Sequence, residues 1–452
     1  MATSPPRRVF GFWICLALVV GNMIGSGVYL LPASLAPFGW AGVFGWVFTI
    51  GGALCLAIVF GRLSAAFPKA GGPYAYSREA FGSFAGFLVA WMYWVSLWIG
   101  NVAIATGVVA PLGTIFPAVS AHSAWWTLGI LWLLTAVNCL GARLAGGLQV
   151  AVTALKFLPL AAVILLAALV LGREGTAVLP PLEGEHLQFT GAGGIGAAAA
   201  LTLWSFLGLE SATIPAERVE NPRKVIGRAT VAGTAVTGLV YLLSCSAVAL
   251  MLPPEQASRS GAPLADFVAL HWGAGAGTIL ALFAATTAFG ALNGWILLQG
   301  EMPWAMAKDG VLPRWLAVLS PRGTPVRAYL VSSLLITAVL LFNTGRTATD
   351  LFTFLILLAT TASLVAYFVC SLAALALPAR GRMASDWLLA AAAGLGAAYS
   401  AWAMWGAGLE ANGWGLALAA TGLPVYLLTR RNQPDDRAVE GAPSAPERES
   451  DG

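Results

Sequence analysis

Charge is what this sequence most lacks. Of 452 residues only 10% are Asp, Glu, Lys or Arg, against 58% hydrophobic, and the mean hydropathy is +0.80. Soluble domains spend about a quarter of their residues on those four types. This chain cannot cover a water-facing surface, so a soluble enzyme, a nucleic-acid binder and a disordered protein are excluded. The remaining charge is clustered, with none between Val9 and Gly61 or between Ala80 and Ala142. A spanning helix needs roughly 20 predominantly apolar residues, so each interval holds two. Cysteine and histidine are scarce as well. Cys15, Cys55, Cys139, Cys245 and Cys370 lie in apolar segments without ligand-like spacing. They read as small buried hydrophobes, neither a disulfide framework nor a metal site. His122, His186 and His271 fall in outer loops or at span ends. With no His/Asp cluster and no ring of selectivity residues, neither an enzyme nor a channel is expected, and no metal or cofactor. What is left is an all-α polytopic membrane protein.

The charge-free intervals and their turn residues give twelve transmembrane helices, near 9–34, 40–61, 83–112, 124–142, 147–171, 194–213, 229–252, 274–304, 328–343, 350–377, 386–407 and 412–429. The first apolar run is far longer than the roughly 7–15 residues of a signal-peptide core, so that helix is expected to be retained. An even count puts both ends on one side. Alternating the loops then assigns 20 Lys and Arg residues to that side and three, Arg173, Arg259 and Arg346, to the other. Positive loops face the cytoplasm. The chain therefore divides into a cytoplasmic N-terminus (1–8), a transporter domain (9–429) and a polar, Pro- and Glu-rich cytoplasmic tail (430–452) read as disordered.

Two spans carry matching interruptions. The first reads Gly21-Asn22-Met23-Ile24-Gly25-Ser26-Gly27 with Pro32 following; the sixth reads Trp204-Ser205-Phe206-Leu207-Gly208-Leu209-Glu210 with Pro215 following. Paired interruptions in two five-helix halves point to a transporter binding site, because freed backbone groups are tolerated at membrane depth only where they line a cavity. The half-helix N-termini offer N–H groups and a positive dipole end to an anion. A helix-packing surface of small residues is the plainer reading of Gly25-Ser26-Gly27 alone.

Glu210 and Lys156 are charged residues placed inside spans. An intramembrane carboxylate is costly and hence a functional candidate; proton uptake at Glu210 is the role weighed against a structural carboxylate held by a neighbouring donor. Lys156, mid-way along the fifth span, can supply a fixed cation or release a proton, against snorkelling to an interface. Of the 18 tryptophans, Trp125, Trp126, Trp272 and Trp414 read as interfacial belt residues. Trp204 and Trp295 sit beside a break and within the eighth span, where their rings can close over a substrate or hold a cation; ordinary packing is the alternative.

The ordered stretches GNMIGSGVYLLPASLA (21–36), GGPYAYSREAFG (71–82), YWVSLWIGN (93–101), TLWSFLGLESA (202–212), ENPRKV (220–225) and GWILLQG (294–300) resemble the amino acid–polyamine–organocation superfamily, most closely its bacterial arginine/agmatine antiporter branch. The resemblance covers about residues 10 to 430. It implies a LeuT-like fold, a five-plus-five inverted repeat with two extra helices and broken helices 1 and 6, working by alternating access. By that resemblance, Gly25, Ser26 and Gly27 hold the substrate carboxylate. Carbonyls of Met23, Trp204 and Leu207 receive its α-amino group, Asn101 and Trp295 receive a guanidinium, and Trp204 covers the substrate. Tyr93, Glu210 and Tyr367 match an outer gate, with Glu210 also sensing protons. Ser96 lies beside the guanidinium position.

Three departures bear on the substrate. Ser96-Leu97 replaces a pair of small residues, Ala359 stands where the branch has a serine, and Lys156 looks like the lysine that sodium-independent relatives carry at the sodium position. The expectation is an antiporter of cationic amino acids or their decarboxylated amines in the bacterial cytoplasmic (inner) membrane. The alternative is a proton-coupled or exchanging neutral amino-acid permease using Lys156 in place of sodium. The partners are a small-molecule amino acid or amine and the lipid bilayer, not nucleic acid; a homodimer is left open. The orientation is directly testable. A C-terminal fluorescent-protein fusion should light up in bacteria while a C-terminal alkaline phosphatase fusion stays inactive; the reverse pair of results would invert the topology.

Overall fold

Inside hydrocarbon every backbone N–H and C=O must be paired within the protein, and a chain of this composition meets that requirement with helices. The computed structural model describes residues 11–69, 71–140, 155–184, 188–189, 191, 193–214, 216, 219–342 and 348–429. The expected N-terminal segment 1–8, the tail 430–452, His186, and basic residues such as Arg143, Arg218 and Arg346 lie outside the described residues. No β-strand element occurs among those described.

The first span is two half-helices, α1 (Phe12–Met23) and α2 (Ser26–Leu35). Then follow α3 (Trp40–Ala66), a short helix α4 (Pro73–Phe81), α5 (Ser83–Ile115), α6 (Ser123–Leu140) and α7 (Phe157–Glu174). The sixth span begins as α8 (Ile195–Leu203) and continues as the 3-10 turns Trp204–Phe206 and Leu209–Ala212. The longer helices that follow are α9 (Pro222–Met251), α10 (Ala274–Lys308), α11 (Val326–Phe342), α12 (Ala348–Ala379), α13 (Trp387–Gly406) and α14 (Gly408–Thr429). Among the described residues, ten helical stretches are long and apolar enough to cross a membrane. The other two spans read from the sequence fall on α11, a shorter apolar helix, and on α14.

The packing follows the repeat. The first and sixth spans meet where α1 packs on the Leu209–Ala212 turn; α3 packs along α9, α5 along α10 and α6 along α11. Each of the first four spans thus lies against its counterpart in the second half. The outer surface is apolar, with Leu409, Phe342, Trp387, Trp13 and Trp405 all largely exposed, as a lipid-facing surface requires. The four proposed belt tryptophans are exposed too. All five cysteines are free; Cys15, Cys245 and Cys370 are buried as expected, whereas Cys55 and Cys139 are only half-buried.

Polar residues collect on one end. Arg62 pairs with Asp386 at 2.6 Å, Lys69 with Glu79 at 3.4 Å, Arg78 with Asp309 at 3.8 Å, and Arg382 with Glu79. The segments after the second, eighth and tenth spans therefore meet on one side, the side to which the alternating-loop assignment gives most of the Lys and Arg.

Candidate functional site

Helix α1 ends because Ile24 leaves helical geometry (φ −75°, ψ 94°), and α2 restarts after Gly25 (φ −135°, ψ −141°). A helix end leaves four carbonyls without intrahelical partners, and at membrane depth each must find a donor. Lys156 Nζ, fully buried, donates to Gly21 O at 2.7 Å and to Ile24 O at 2.8 Å. Trp295 Nε1 donates to Asn22 O at 3.1 Å, and Tyr241 Oη to Met23 O at 2.6 Å. The open end of α1 is thus closed by three side chains, from the start of α7, from α10 and from α9. The lysine also sits where a helix dipole is negative, the end that favours a cationic group.

The other side of the break is left open. The first turn of α2 has N–H groups without intrahelical partners and no side-chain cap, and Ser26 Oγ is buried without a partner. Gly27 is required by close approach, since a Cβ there would lie 2.6 Å from Ser205 Oγ and 3.1 Å from Trp204 Cδ1.

The sixth span breaks at Gly208, whose φ of 103° is left-handed, a conformation that costs little only for glycine. A Cβ there would also meet Asn22 Cβ at 3.1 Å and the Trp295 ring at 3.2 Å. The two breaks therefore touch, and Asn22 Nδ2 donates to Ser211 Oγ across them at 2.8 Å. Just beyond, the buried Glu210 carboxylate accepts from Tyr93 Oη and Tyr367 Oη, both at 2.6 Å, and from Gly208 N at 3.2 Å. All three contacts are donors, so this arrangement fits the ionised form. Protonation would set an O–H against a donor and force one tyrosine hydroxyl to turn.

Between the breaks lies a small cavity lined by Asn22, Met23, Gly25, Ser26, Gly27, Ile104, Trp204, Leu207 and Trp295. Trp204 and Trp295 are 7% and 6% exposed, and the Trp204 ring also reaches Gly100 of α5. One end carries the α2 N–H groups; the walls are aromatic.

Seven expected site residues, Met23, Gly25, Ser26, Gly27, Trp204, Leu207 and Trp295, line this cavity. Ser96 and Asn101 do not. Ser96 Oγ is bonded to Ser363 Oγ at 2.5 Å, and Asn101 Nδ2 donates to Gln299 Oε1 at 2.5 Å, one turn along α5 from the lining residue Ile104. Met23 O, expected to take an α-amino group, already accepts from Tyr241, with one lone pair remaining. Tyr93, Glu210 and Tyr367 do come together. Thr213, just after Glu210, abuts the Gly72 turn that opens α4, so the cluster lies toward the ion-paired, basic end. The reason is direction: the sixth span runs toward that end, and Glu210 follows its break. Tyr241, Ser211 and Gln299 were not anticipated. Gln299 carried a signal, a neutral amide four residues after Trp295 on the same helix.

Lys156→Met keeps the aliphatic stem and removes the donor. Each carbonyl left unpaired costs about 1–3 kcal/mol, so the variant should lose thermal stability in detergent and lose transport in proteoliposomes; wild-type stability and transport would return Lys156 to a packing role.

A family model for amino acid permeases matches residues 10–419. The cadaverine/lysine antiporter of Escherichia coli (strain K12) is 31% identical over 368 residues, covering 80% of this chain and 82% of that protein. The arginine/ornithine antiporter of Pseudomonas aeruginosa is 30% identical over 419 residues, 87% of this chain and 85% of its own. A putrescine transporter of Haemophilus influenzae is 28% identical over 416 residues, 90% and 94% of the two chains. With a membrane-spanning helical fold, two broken helices around one cavity and these matches, the chain belongs to the amino acid permease family.

Proposed function

We propose that this protein is a secondary antiporter of cationic amino acids and their decarboxylated amines in the bacterial inner membrane, spanning it twelve times with both termini cytoplasmic and releasing its substrate chemically unchanged. The observation that carries the reading is the polarity of the cavity. The uncapped α2 N-terminus at Gly25–Gly27 suits a carboxylate, and Trp204 and Trp295 supply faces for a cation, with the Asn101 carboxamide one turn beyond Ile104. The relatives named above exchange or carry lysine, cadaverine, arginine, ornithine or putrescine, molecules whose shared feature is an amine or guanidinium on an aliphatic chain.

In this reading Trp204 closes over the substrate, and the Tyr93–Glu210–Tyr367 knot seals the cytoplasmic exit. Glu210 couples transport to protons because its protonation undoes a hydrogen bond of that seal, with Lys156 holding α1 throughout. A neutral amino-acid permease is the second reading, favoured by the buried Leu97 and by Ala359 near Gly100, which narrow that end with apolar surface.

Proteoliposomes preloaded with arginine, lysine or leucine separate the two. Cationic loads should drive uptake of labelled arginine or lysine; exchange with leucine-loaded vesicles alone would sink the cationic reading. Under the same conditions Glu210→Gln should flatten the pH dependence of exchange while the protein still inserts, and a pH profile unchanged from wild type would remove Glu210 from proton coupling.

A further inference from the structure

Beside the cavity a buried hydrogen-bonded chain runs through four spans, and its direction is fixed at its far end. Thr135 Oγ1 of α6 donates its one hydrogen to Leu131 O at 2.8 Å. The 2.8 Å contact between Thr135 Oγ1 and Ser333 Oγ of α11 must therefore take its hydrogen from Ser333. Having given that hydrogen away, Ser333 Oγ can only accept at its 3.2 Å contact with Gln299, so the Gln299 amide turns its Nε2 toward Ser333. Gln299 Oε1 is then left to face Asn101, which answers with Nδ2 at 2.5 Å. Asn101 Oδ1 remains, buried and without a partner. Donation from Ser332 Oγ to the Gln299 carbonyl at 3.0 Å, with Trp94 Nε1 on Ser332 at 2.9 Å, anchors the same turn of α10. An amide assigned from its own surroundings is ambiguous; here a carbonyl of α6 three contacts away decides it.

Gln299 stands one turn after Trp295 on α10, and Asn101 one turn before Ile104 on α5. Residues at these spacings share a helix face, which sets Asn101 next to the lining residue Ile104, just outside the cavity. We propose that Gln299, set by Ser333 and Thr135, is a specificity-determining positioning residue: it locks Asn101 with its acceptor toward the substrate, so that this end of the site takes a hydrogen-bond donor and rejects an acceptor. The inference rests on the cationic-substrate reading and sharpens it. An ammonium or guanidinium presents only donors and satisfies Asn101 Oδ1 in every orientation. A ureido or amide group of equal length does so only with its NH2 turned inward and its carbonyl left unpaired, and a buried site discriminates against the analogue that leaves a polar group unpaired.

Arginine and citrulline, equal in length and alike at the α-carbon, are the probes. In arginine-loaded proteoliposomes of the full chain, wild type should prefer arginine to citrulline as a competitor by more than about tenfold. Gln299→Leu and Thr135→Val, which free the Asn101 amide to turn, should each reduce that ratio by about tenfold while labelled arginine still exchanges. A variant that merely loosens packing lowers uptake of both without moving the ratio. Equal competition by citrulline in wild type, or an unchanged ratio in any variant that transports, overturns the inference. Should Gln299→Leu fail to insert, Thr135→Val and Ser333→Ala decide. A wild-type protein that exchanges no cationic amino acid overturns the proposed function instead.

Discussion

A helix broken inside a bilayer exposes carbonyl groups that hydrocarbon cannot solvate, and the centre of this protein is organised by how those groups are held. Gly21, Asn22, Met23 and Ile24 present them at the end of α1, and Lys156, Trp295 and Tyr241 supply donors from three other spans. Each of those donors is buried for this purpose. Because an unpaired backbone group at this depth costs several kcal/mol, the break persists only while that set of side chains is in place. The reward is on the other side of the break, where the α2 N–H groups need no structural partner and stay open to a ligand.

The second broken span depends on the first. Gly208 takes its left-handed turn where Asn22 and Trp295 leave room only for a glycine, and Asn22 ties to Ser211 beyond it. Trp295 touches both breaks, bonding Asn22 with its indole N–H and covering Gly208 with its ring. In the proposed reading, a ligand pressing on Trp295 or Trp204 acts on both broken helices, and through Gly208 N on the Glu210 carboxylate two residues further. This gives alternating access a physical route from substrate to seal: a short set of hydrogen bonds at which the two halves meet, with large rigid helices on either side.

Much of this was legible in the sequence because the membrane makes its rules local. Missing charge marked the spans, paired Gly-rich interruptions marked the breaks, and two isolated ionisable residues, Glu210 and Lys156, fell in the two sets of contacts that hold the breaks. What stayed hidden was long-range. Tyr241 lies 218 residues from the carbonyl it closes, and nothing in its neighbourhood sets it apart from a packing aromatic. Ser96 and Asn101 were carried by a motif, and their partners Ser363 and Gln299 lie 267 and 198 residues away. The end of the molecule at which Tyr93, Glu210 and Tyr367 meet was hidden as well, because residue matching carries no direction, while the run of the sixth span toward the ion-paired loops does.

Two groups can hold an open helix end of this kind: a bound metal cation or a side-chain donor. Gly21 O and Ile24 O are both taken by Lys156 Nζ, so the protein meets the requirement from its own chain. Exchange of labelled arginine for internal arginine, with sodium replaced by N-methylglucamine on both sides of the vesicle, tests this most directly. The rate should be the same with and without sodium. A rate that rises and saturates with sodium concentration would mean that a metal ion, and not Lys156, closes the end of α1.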